Sequence, residues 1–332
     1  MNRDCVQSSS VLDRVLVLEM VRVTEAAAIA ASKWIGRGDN DSADAAAVEA
    51  MRAELNRLPM DGTVVIGEGE RDEAPMLYIG EKVGSEQEGG PKIDIALDPL
   101  EGTTITAKAG PNALAVLAIA ESGCLLNAPD VYMEKLAVGP GYPEGTIGLD
   151  KSPADNVRAI ARVKGVEPGE IIACVLDRPR HEAMIAELRG LGCGIKLIPD
   201  GDVAGVIATA DPDTGIDVYM GSGGAPEGVL AAAALRCVGG QIQGRLIFRN
   251  DAEVERARRW GIDDLHRVYT LKEMARGDCI FAATGVTDGS LLKGVHRRKD
   301  CVTTESIAMR ASSGTIRRVL AEHFKFGSQR SL

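Results

Sequence analysis

The sequence predicts an α/β protein of two lobes, and three observations carry that expectation. The chain has 332 residues, enough for one large or two medium hydrophobic cores. From residue 171 onward, short apolar runs alternate with stretches of helical period, the pattern of strand-helix units on a largely parallel sheet. In the first half, Thr63-Val-Val-Ile66 and Ile93-Asp-Ile-Ala-Leu97 are bounded by Gly and Pro, as buried strands are. The division expected is a disordered tail at 1–9, an α+β lobe over 10–150 and an α/β lobe over 151–332.

The elements follow in order. Ser10 and Asp13 offer a helix start ahead of Val15, Leu16, Val23 and Ile29, with a stop near Gly36. A second helix over 42–58 carries Ala45, Val48, Met51 and Leu55 on one face and ends before Pro59, with Asp44 in its first turn. Residues 76–79 fit helix and strand alike, and 84–92 form a polar loop. Residues 114–120, 124–126 and 132–138 read as an antiparallel group. Ser152, Pro153 and Asp155 supply an N-cap, a first-position proline and a first-turn acid for a helix reaching Gly165. Strands at 171–176, 195–198, 216–220 and 242–248 then alternate with helices at 181–191, 203–210 and 226–238. Helical residues 252–276, a strand at 279–283 and a final helix at 315–325 complete the chain.

Composition excludes several classes of function. Aromatic residues are only 3% of the chain, too few for base stacking, and a net charge of −10 with a pI near 5.1 argues against nucleic-acid or anionic-membrane partners. Phosphate ligands stay open, because metal ions and a few placed arginines reverse the local sign. The seven cysteines include no C-x-x-C pair, so neither a zinc knuckle nor a disulfide framework is expected, and most read as small core residues. No signal-peptide pattern and no apolar run of about 18 residues stands out, so the cytoplasm is the expected location.

Chemistry gathers at strand ends. The two first-half strands run into Ile66-Gly-Glu-Gly-Glu70 and Asp98-Pro-Leu-Glu101-Gly-Thr-Thr104. If Glu68, Asp98 and Glu101 meet, the cluster stays ionised only with cations between its oxygens, and an all-oxygen donor set selects Mg2+ or Mn2+ over zinc. The four histidines have no ligand spacing, and G-x-x-x-x-G-K-[ST], G-x-S-x-G and H-E-x-x-H are absent.

In an open α/β sheet ligands gather outside the carboxyl ends of the strands, which here lead into Asp177-Arg-Pro-Arg-His181, Pro199-Asp-Gly-Asp202 and Gly221-Ser-Gly-Gly-Ala-Pro-Glu227. Arg178 and Arg180 flank the stiffening Pro179 and suit either phosphate binding or surface ion pairs. His181 reads as a solvated helix-start residue. Asp200 and Asp202 around Gly201 fit hydroxyl recognition on a sugar or ordinary turn and cap roles. Gly221–Gly224 resembles a dinucleotide turn, but Pro226 stands where the third glycine belongs; a backbone approach to phosphate with Glu227 aimed at a metal fits better than that, and a plain helix entry is the alternative.

The pair Gly67-Glu-Gly69 and Asp98-Pro-Leu-Glu-Gly-Thr103 resembles the lithium-sensitive, metal-dependent phosphatase superfamily of inositol monophosphatases and fructose-1,6-bisphosphatases. The longer strings over 65–83, with Asp177-Arg-Pro-Arg-His181, Pro199-Asp-Gly-Asp202 and Gly223-Gly-Ala-Pro-Glu-Gly228, narrow the resemblance to the bacterial class II fructose-1,6-bisphosphatases over residues 20–325. The resemblance implies an α-β-α-β-α layered fold and metal-dependent hydrolysis of the 1-phosphate of fructose 1,6-bisphosphate, in gluconeogenesis or a pentose cycle. It implies metal ligands at Asp44, Glu68, Asp98, Glu101 and Glu227, with the Leu100 carbonyl as an additional donor. Implied substrate contacts are Glu101, Gly102, Thr103, Tyr132, Arg178, Pro179, Arg180, Asp200, Gly201, Asp202 and Gly224. Within that scheme Thr103, with Asp44, orients the attacking water, the Arg178 loop holds the distal phosphate, and Asp200 and Tyr132 hold the sugar. Asn40 departs from the family, where lysine often follows G-R-G-D. A dual fructose/sedoheptulose bisphosphatase and a non-catalytic sugar-phosphate-binding regulator are the alternatives, and a homodimer or homotetramer is the expected assembly.

Overall fold

The computed structural model describes residues 12, 16–69, 75–86 and 89–324. The tail at 1–9, the helix start at Ser10 and Asp13, and Glu70 lie outside the described residues. Helices α1 (Leu16–Ala31) and α2 (Asn40–Leu55) precede strands β1 (Asp61–Ile66), β2 (Lys82–Val83) and β3 (Lys92–Glu101), the short helix α3 (Thr103–Ala107), and strands β4 (Leu114–Glu121) and β5 (Tyr132–Val138). Then come α4 (Pro153–Lys164), β6 (Ile172–Leu176), α5 (Glu182–Gly190), β7 (Gly194–Ile198), α6 (Asp202–Ala208), β8 (Val218–Gly224), α7 (Ala225–Val238) and β9 (Gln241–Ile247). The chain closes with α8 (Asp251–Arg259), β10 (Val268–Thr270), α9 (Leu271–Met274), β11 (Cys279–Gly285), β12 (His296–Arg297), β13 (Cys301–Arg310) and β14 (Thr315–Phe324).

These elements build five layers. An eight-stranded sheet runs β12-β13-β11-β4-β3-β1-β2, with β14 on β13, and a six-stranded sheet runs β10-β9-β5-β8-β6-β7. Strand alternation distributes the layers: in β4, Ala115, Leu117 and Ile119 pack under α1 and α2, whereas Val116, Ala118 and Ala120 face the opposite way, onto α7. Helices α4 and α5 cover the far face of the six-stranded sheet with Val157, Ile160, Ile185 and Leu188. Helix α7 is buried almost all round, and its Ala231-Ala-Ala-Ala234 run keeps it thin enough to lie between two sheets. No helix among the described residues is long and apolar enough to cross a membrane.

Several local expectations are corrected. The six-stranded sheet is mixed, because β5 runs antiparallel to both β8 and β9 while only β6 pairs parallel with β7 and β8. The expected antiparallel group splits: β4 joins one sheet, β5 the other, and 124–126 contributes only a bridge from Leu125 to Ala275. The helical stretch at 252–276 is broken after Arg259, at Gly261, and contains β10. Residues 315–324 form a strand rather than a helix, since Ile316, Val319, Leu320 and Phe324 satisfy a helical period but lie opposite β13 along its whole length. β13, unassigned from sequence, is masked by its buried hydroxyls. Strand membership crosses residue 150 in both directions, because β11–β14 complete the first sheet and β5 belongs to the second. Cys174, Cys193, Cys237, Cys279 and Cys301 are free and buried as expected; Cys124, buried too, is disulfide-bonded.

A buried hydroxyl chain ties the outer helix to the sheet. Thr24 Oγ1 lies 2.7 Å from Thr284 Oγ1, which lies 2.8 Å from Ser306 Oγ. We expect Thr284→Val, similar in shape but without the hydroxyl, to destabilise the protein by about 1–3 kcal/mol. Urea unfolding measures this; an unchanged midpoint would show that the chain contributes nothing.

Candidate active site

Four backbone turns bring the carboxylates together. At the end of β1 a Cβ on Gly67 would meet the Leu77 carbonyl oxygen at 2.0 Å, and Gly69 has φ +134°, so the G-E-G sequence is what lets the chain fold back and present Glu68. In β3 the register with β4 slips between Asp98 and Glu101 at Pro99, which has no N–H for the ladder; Asp98 Oδ1 accepts from Leu100 N at 3.0 Å. Gly102, at φ +90°, then turns the chain into α3 and exposes Thr103 to the hollow. Asp44 comes from the first turns of α2, which Asp39 caps by accepting from Ser42 N at 2.9 Å.

Glu227 arrives from the opposite side, in the first turn of α7. A Cβ on Gly224 would lie 2.0 Å from Glu227 Oε2, and one on Gly223 would lie 2.2 Å from Asp202 Oδ2, so this glycine pair clears space for two carboxylates. Asp98, Glu101 and Glu227 each place one oxygen within 4.8 Å of the others. These three line a cavity of about 300 Å³ with Asp44, Glu68, Thr103, Asp200 and Asp202. Glu227 Oε2 is buried and has no hydrogen-bond partner among the described residues.

Beneath the acids lies Lys135, only 1% exposed and ion-paired with Asp202 Oδ2. Sequence reading missed it. The available signal was a lysine at an inward position of β5, in phase with the buried Met133 and Ala137. Asp202 thus has a fixed partner inside the protein, while Asp200, on the same turn, feels the Arg178 charge, which partly offsets the burial that raises its pKa. Glu101 Oε1 accepts from Val203 N at 3.1 Å, tying the first carboxylate loop to the start of α6.

A cationic group sits at the neighbouring sheet edge, and it too was only partly legible. Arg180 donates to the Ser222 carbonyl at 2.6 Å, and its guanidinium carbon lies 5.0 Å from the centre of the Tyr132 ring. Arg249, absent from the sequence reading, approaches the same ring to 4.8 Å from the residues following β9. Pro179 opens the short 3-10 turn that carries Arg180. His181 is not solvated: it is 4% exposed, its Nδ1 lies 2.8 Å from the Leu176 carbonyl oxygen, and its Nε2 accepts from Ser222 N at 2.9 Å. Burial lowers its pKa. It therefore acts as a neutral strut under the arginine loop. Asn40 donates to Thr104 Oγ1 at 3.5 Å, beside the cavity-lining Thr103.

Comparison with known proteins agrees with this geometry. The family model for bacterial fructose-1,6-bisphosphatase, glpX-encoded, matches residues 14–323. Fructose-1,6-bisphosphatase 1 class 2 of Escherichia coli K12 is 51% identical over 324 residues, covering 94% of this chain and 96% of that protein. The fructose-1,6-bisphosphatase class 2 of Shigella flexneri matches to the same extent. The chain belongs to the glpX-type bacterial fructose-1,6-bisphosphatase family. It is a phosphatase. Among solved structures, the extragenic suppressor protein suhB of Bartonella henselae is similar at a TM-score of 0.33 and 15% identity, over 60% of this chain and 74% of that one.

The electrostatics of this acidic pocket fit a divalent cation. Burial, then Asp98 and Asp44 nearby, push the Glu68 carboxyl up to about 9. Burial and Asp202 push Glu227 up to about 7 against the opposing charge of Lys135. Asp98 is raised to about 6, burial again leading, and Glu101 is raised well above the usual range by burial and by Asp98. Several buried carboxylates with one lysine beneath them cannot all ionise unaided, and the partnerless Glu227 oxygen completes an all-oxygen donor set suited to a hard cation.

The sign of the pH dependence follows. Unfolded carboxyls titrate near ~4, so the metal-free folded site holds extra protons, and that stabilisation is lost as pH rises through about 6, 7 and 9. In EDTA the melting temperature should fall across this range, and Glu68→Gln should remove the most alkaline part of the fall. A saturating divalent cation should restore most at the alkaline end. A metal-free melting temperature that is flat or rises with pH would contradict the assignment.

Proposed function

We propose that this site removes the 1-phosphate of fructose 1,6-bisphosphate, giving fructose 6-phosphate and inorganic phosphate, with Mg2+ or Mn2+ as the cation, in the cytoplasm. The observation that carries the reading is the spacing of two charged regions of opposite sign. Tyr132, under the guanidinium groups of Arg180 and Arg249, pairs directly with Gly224, three residues before Glu227. The acidic cavity and the arginine group therefore gather at the same end of β8, which suits a ligand with two phosphates. The names of the relatives add the substrate.

In this reading Asp44, Glu68, Asp98, Glu101 and Glu227 hold the cation, with the Leu100 carbonyl as a further donor. Bound there, it would offset the charge of the reacting phosphoryl group and lower the pKa of an attached water. Thr103 and Asp44 orient the attacking water at the cavity wall. Arg178 and Arg180, joined by Arg249, bind the distal phosphate through their N–H groups. Asp200 accepts from sugar hydroxyls, and Tyr132 gives the sugar and the arginines a rigid surface. Asp202, committed to Lys135, sets the turn at Gly201 rather than competing for substrate. Glu101, through Val203 N, holds the phosphate-cleaving and sugar-binding loops in one frame. Residues 10–150 thus supply most of the metal site, and residues 151–332 supply Glu227 and most of the sugar-phosphate loops.

The test is phosphate release from fructose 1,6-bisphosphate, sedoheptulose 1,7-bisphosphate and inositol 1-phosphate with Mn2+, Mg2+ or EDTA. Fructose bisphosphate should turn over fastest, only with metal, and Glu68→Gln should abolish release while the protein stays folded. Arg180→Ala should raise KM for the bisphosphate about 10–100-fold, the loss of a charge-assisted hydrogen bond, with little effect on a monophosphate. Turnover in EDTA, or equal effects of Arg180→Ala on both substrates, would sink this reading.

A further inference from the structure

We propose that Glu81 is a positioning residue for the active site, holding Leu77 in a left-handed backbone conformation from which the Leu77 carbonyl fixes Glu68. The proposal rests on the reading of Glu68 as a cation-holding carboxylate and extends it to a side chain outside the cavity. Leu77 is the deciding residue. Its φ is +53°, in a region that L side chains rarely adopt, and its side chain is fully buried in the core cluster that includes Met51 and Leu55 of α2. Such a conformation persists only where its surroundings over-determine it.

Leu77 joins two acidic residues through its backbone. Its N–H donates to Glu81 Oε2, and its carbonyl oxygen accepts from Glu68 N at 3.1 Å. Moving Leu77 to the ordinary right-handed region would break this alignment and release the Glu68 backbone. The chain already uses glycine for positive φ on either side, at Gly69 with +134° and Gly80 with +94°. Glycine at position 77 would ease the backbone equally well, but it would lack the buried side chain that stops the carbonyl from turning.

Glu81 is itself held by side chain and backbone alike. Arg52 Nε donates to Glu81 Oε1 at 2.6 Å, the Glu81 carbonyl accepts from Val64 N at 3.0 Å, and Glu81 N donates to the Tyr78 carbonyl at 2.9 Å. Glu81 is only 5% exposed and is not among the residues lining the acidic cavity, so its carboxylate is engaged by the loop and by Arg52. Arg52 rides on α2, the helix whose first turns carry Asp44. One buried carboxylate thus couples the element that brings Asp44 to the loop that brings Glu68.

The test is a metal-binding cycle on the full chain, read from the electron paramagnetic resonance signal of free Mn2+. Glu81→Ala should weaken Mn2+ binding about 10–100-fold, as loss of a group that orients a ligand does. Glu81→Gln, which keeps an oxygen for Leu77 N, should recover most of that loss. In the Glu68→Gln background, Glu81→Ala should change the affinity by less than about twofold, because Glu81 acts through Glu68. A general loosening of the fold would weaken binding in both backgrounds alike. If Glu81→Ala does not fold, hydrogen exchange decides: Mn2+ should slow exchange of the amides at 77–81 in wild type and not in Glu68→Gln. Unchanged Mn2+ affinity in Glu81→Ala, equal losses in both backgrounds, or exchange at 77–81 that does not respond to Mn2+ would overturn the proposal while leaving Glu68 as a ligand. A Glu68→Gln variant that binds Mn2+ as wild type does would overturn the metal reading of Glu68 and the proposal with it.

Discussion

The site is governed by the repulsion among Asp98, Glu101 and Glu227, whose oxygens converge within 4.8 Å over a single buried lysine that is itself committed to Asp202. In the low dielectric between two sheets such a group is unstable when ionised and inert when protonated. Either outcome is resolved by a cation, which makes stability, proton uptake and phosphate chemistry three readings of one charge imbalance. The surrounding backbone is shaped for that convergence: Gly67, Gly223 and Gly224 stand where any side chain would collide with the loop or with the acids themselves.

Helix α7 gives the arrangement its rigidity. Its alanine run packs between the sheets, so Glu227 in its first turn is placed against the ends of β3 and α6 by the core rather than by a loose loop. The same thinness explains why Ala118, Ala120 and Ala283 line the facing strands. Larger side chains at these positions would separate the sheets and widen the distance that sets the acids against one another.

What the sequence revealed follows the kind of signal each residue carries. The G-E-G and D-P-L-E-G-T turns were legible because glycine and proline state backbone geometry directly, and the Arg178–Arg180 loop because proline flanked by arginines sits at a strand end. Lys135 and Arg249 were not, since their roles depend on which strands are neighbours: β5 is brought beside β8 and β9 only by the mixed sheet. His181 was misjudged because nothing local shows that Ser222 and Leu176 enclose it. β13 and β14 failed for complementary reasons, the first because Thr303, Thr304 and Ser306 are buried hydroxyls in a strand, the second because its apolar residues fit a helical repeat until a long partner strand overrides it.

The most direct measurement of the central claim is anomalous scattering from crystals grown with Mn2+. The account predicts a peak bonded to oxygens of Asp98, Glu101 and Glu227, at about 2.0–2.2 Å as for a hard, six-coordinate cation, which Glu227→Gln weakens or removes. A Mn2+-dependent enzyme whose crystals place manganese elsewhere, with these three carboxylates unliganded, would contradict it.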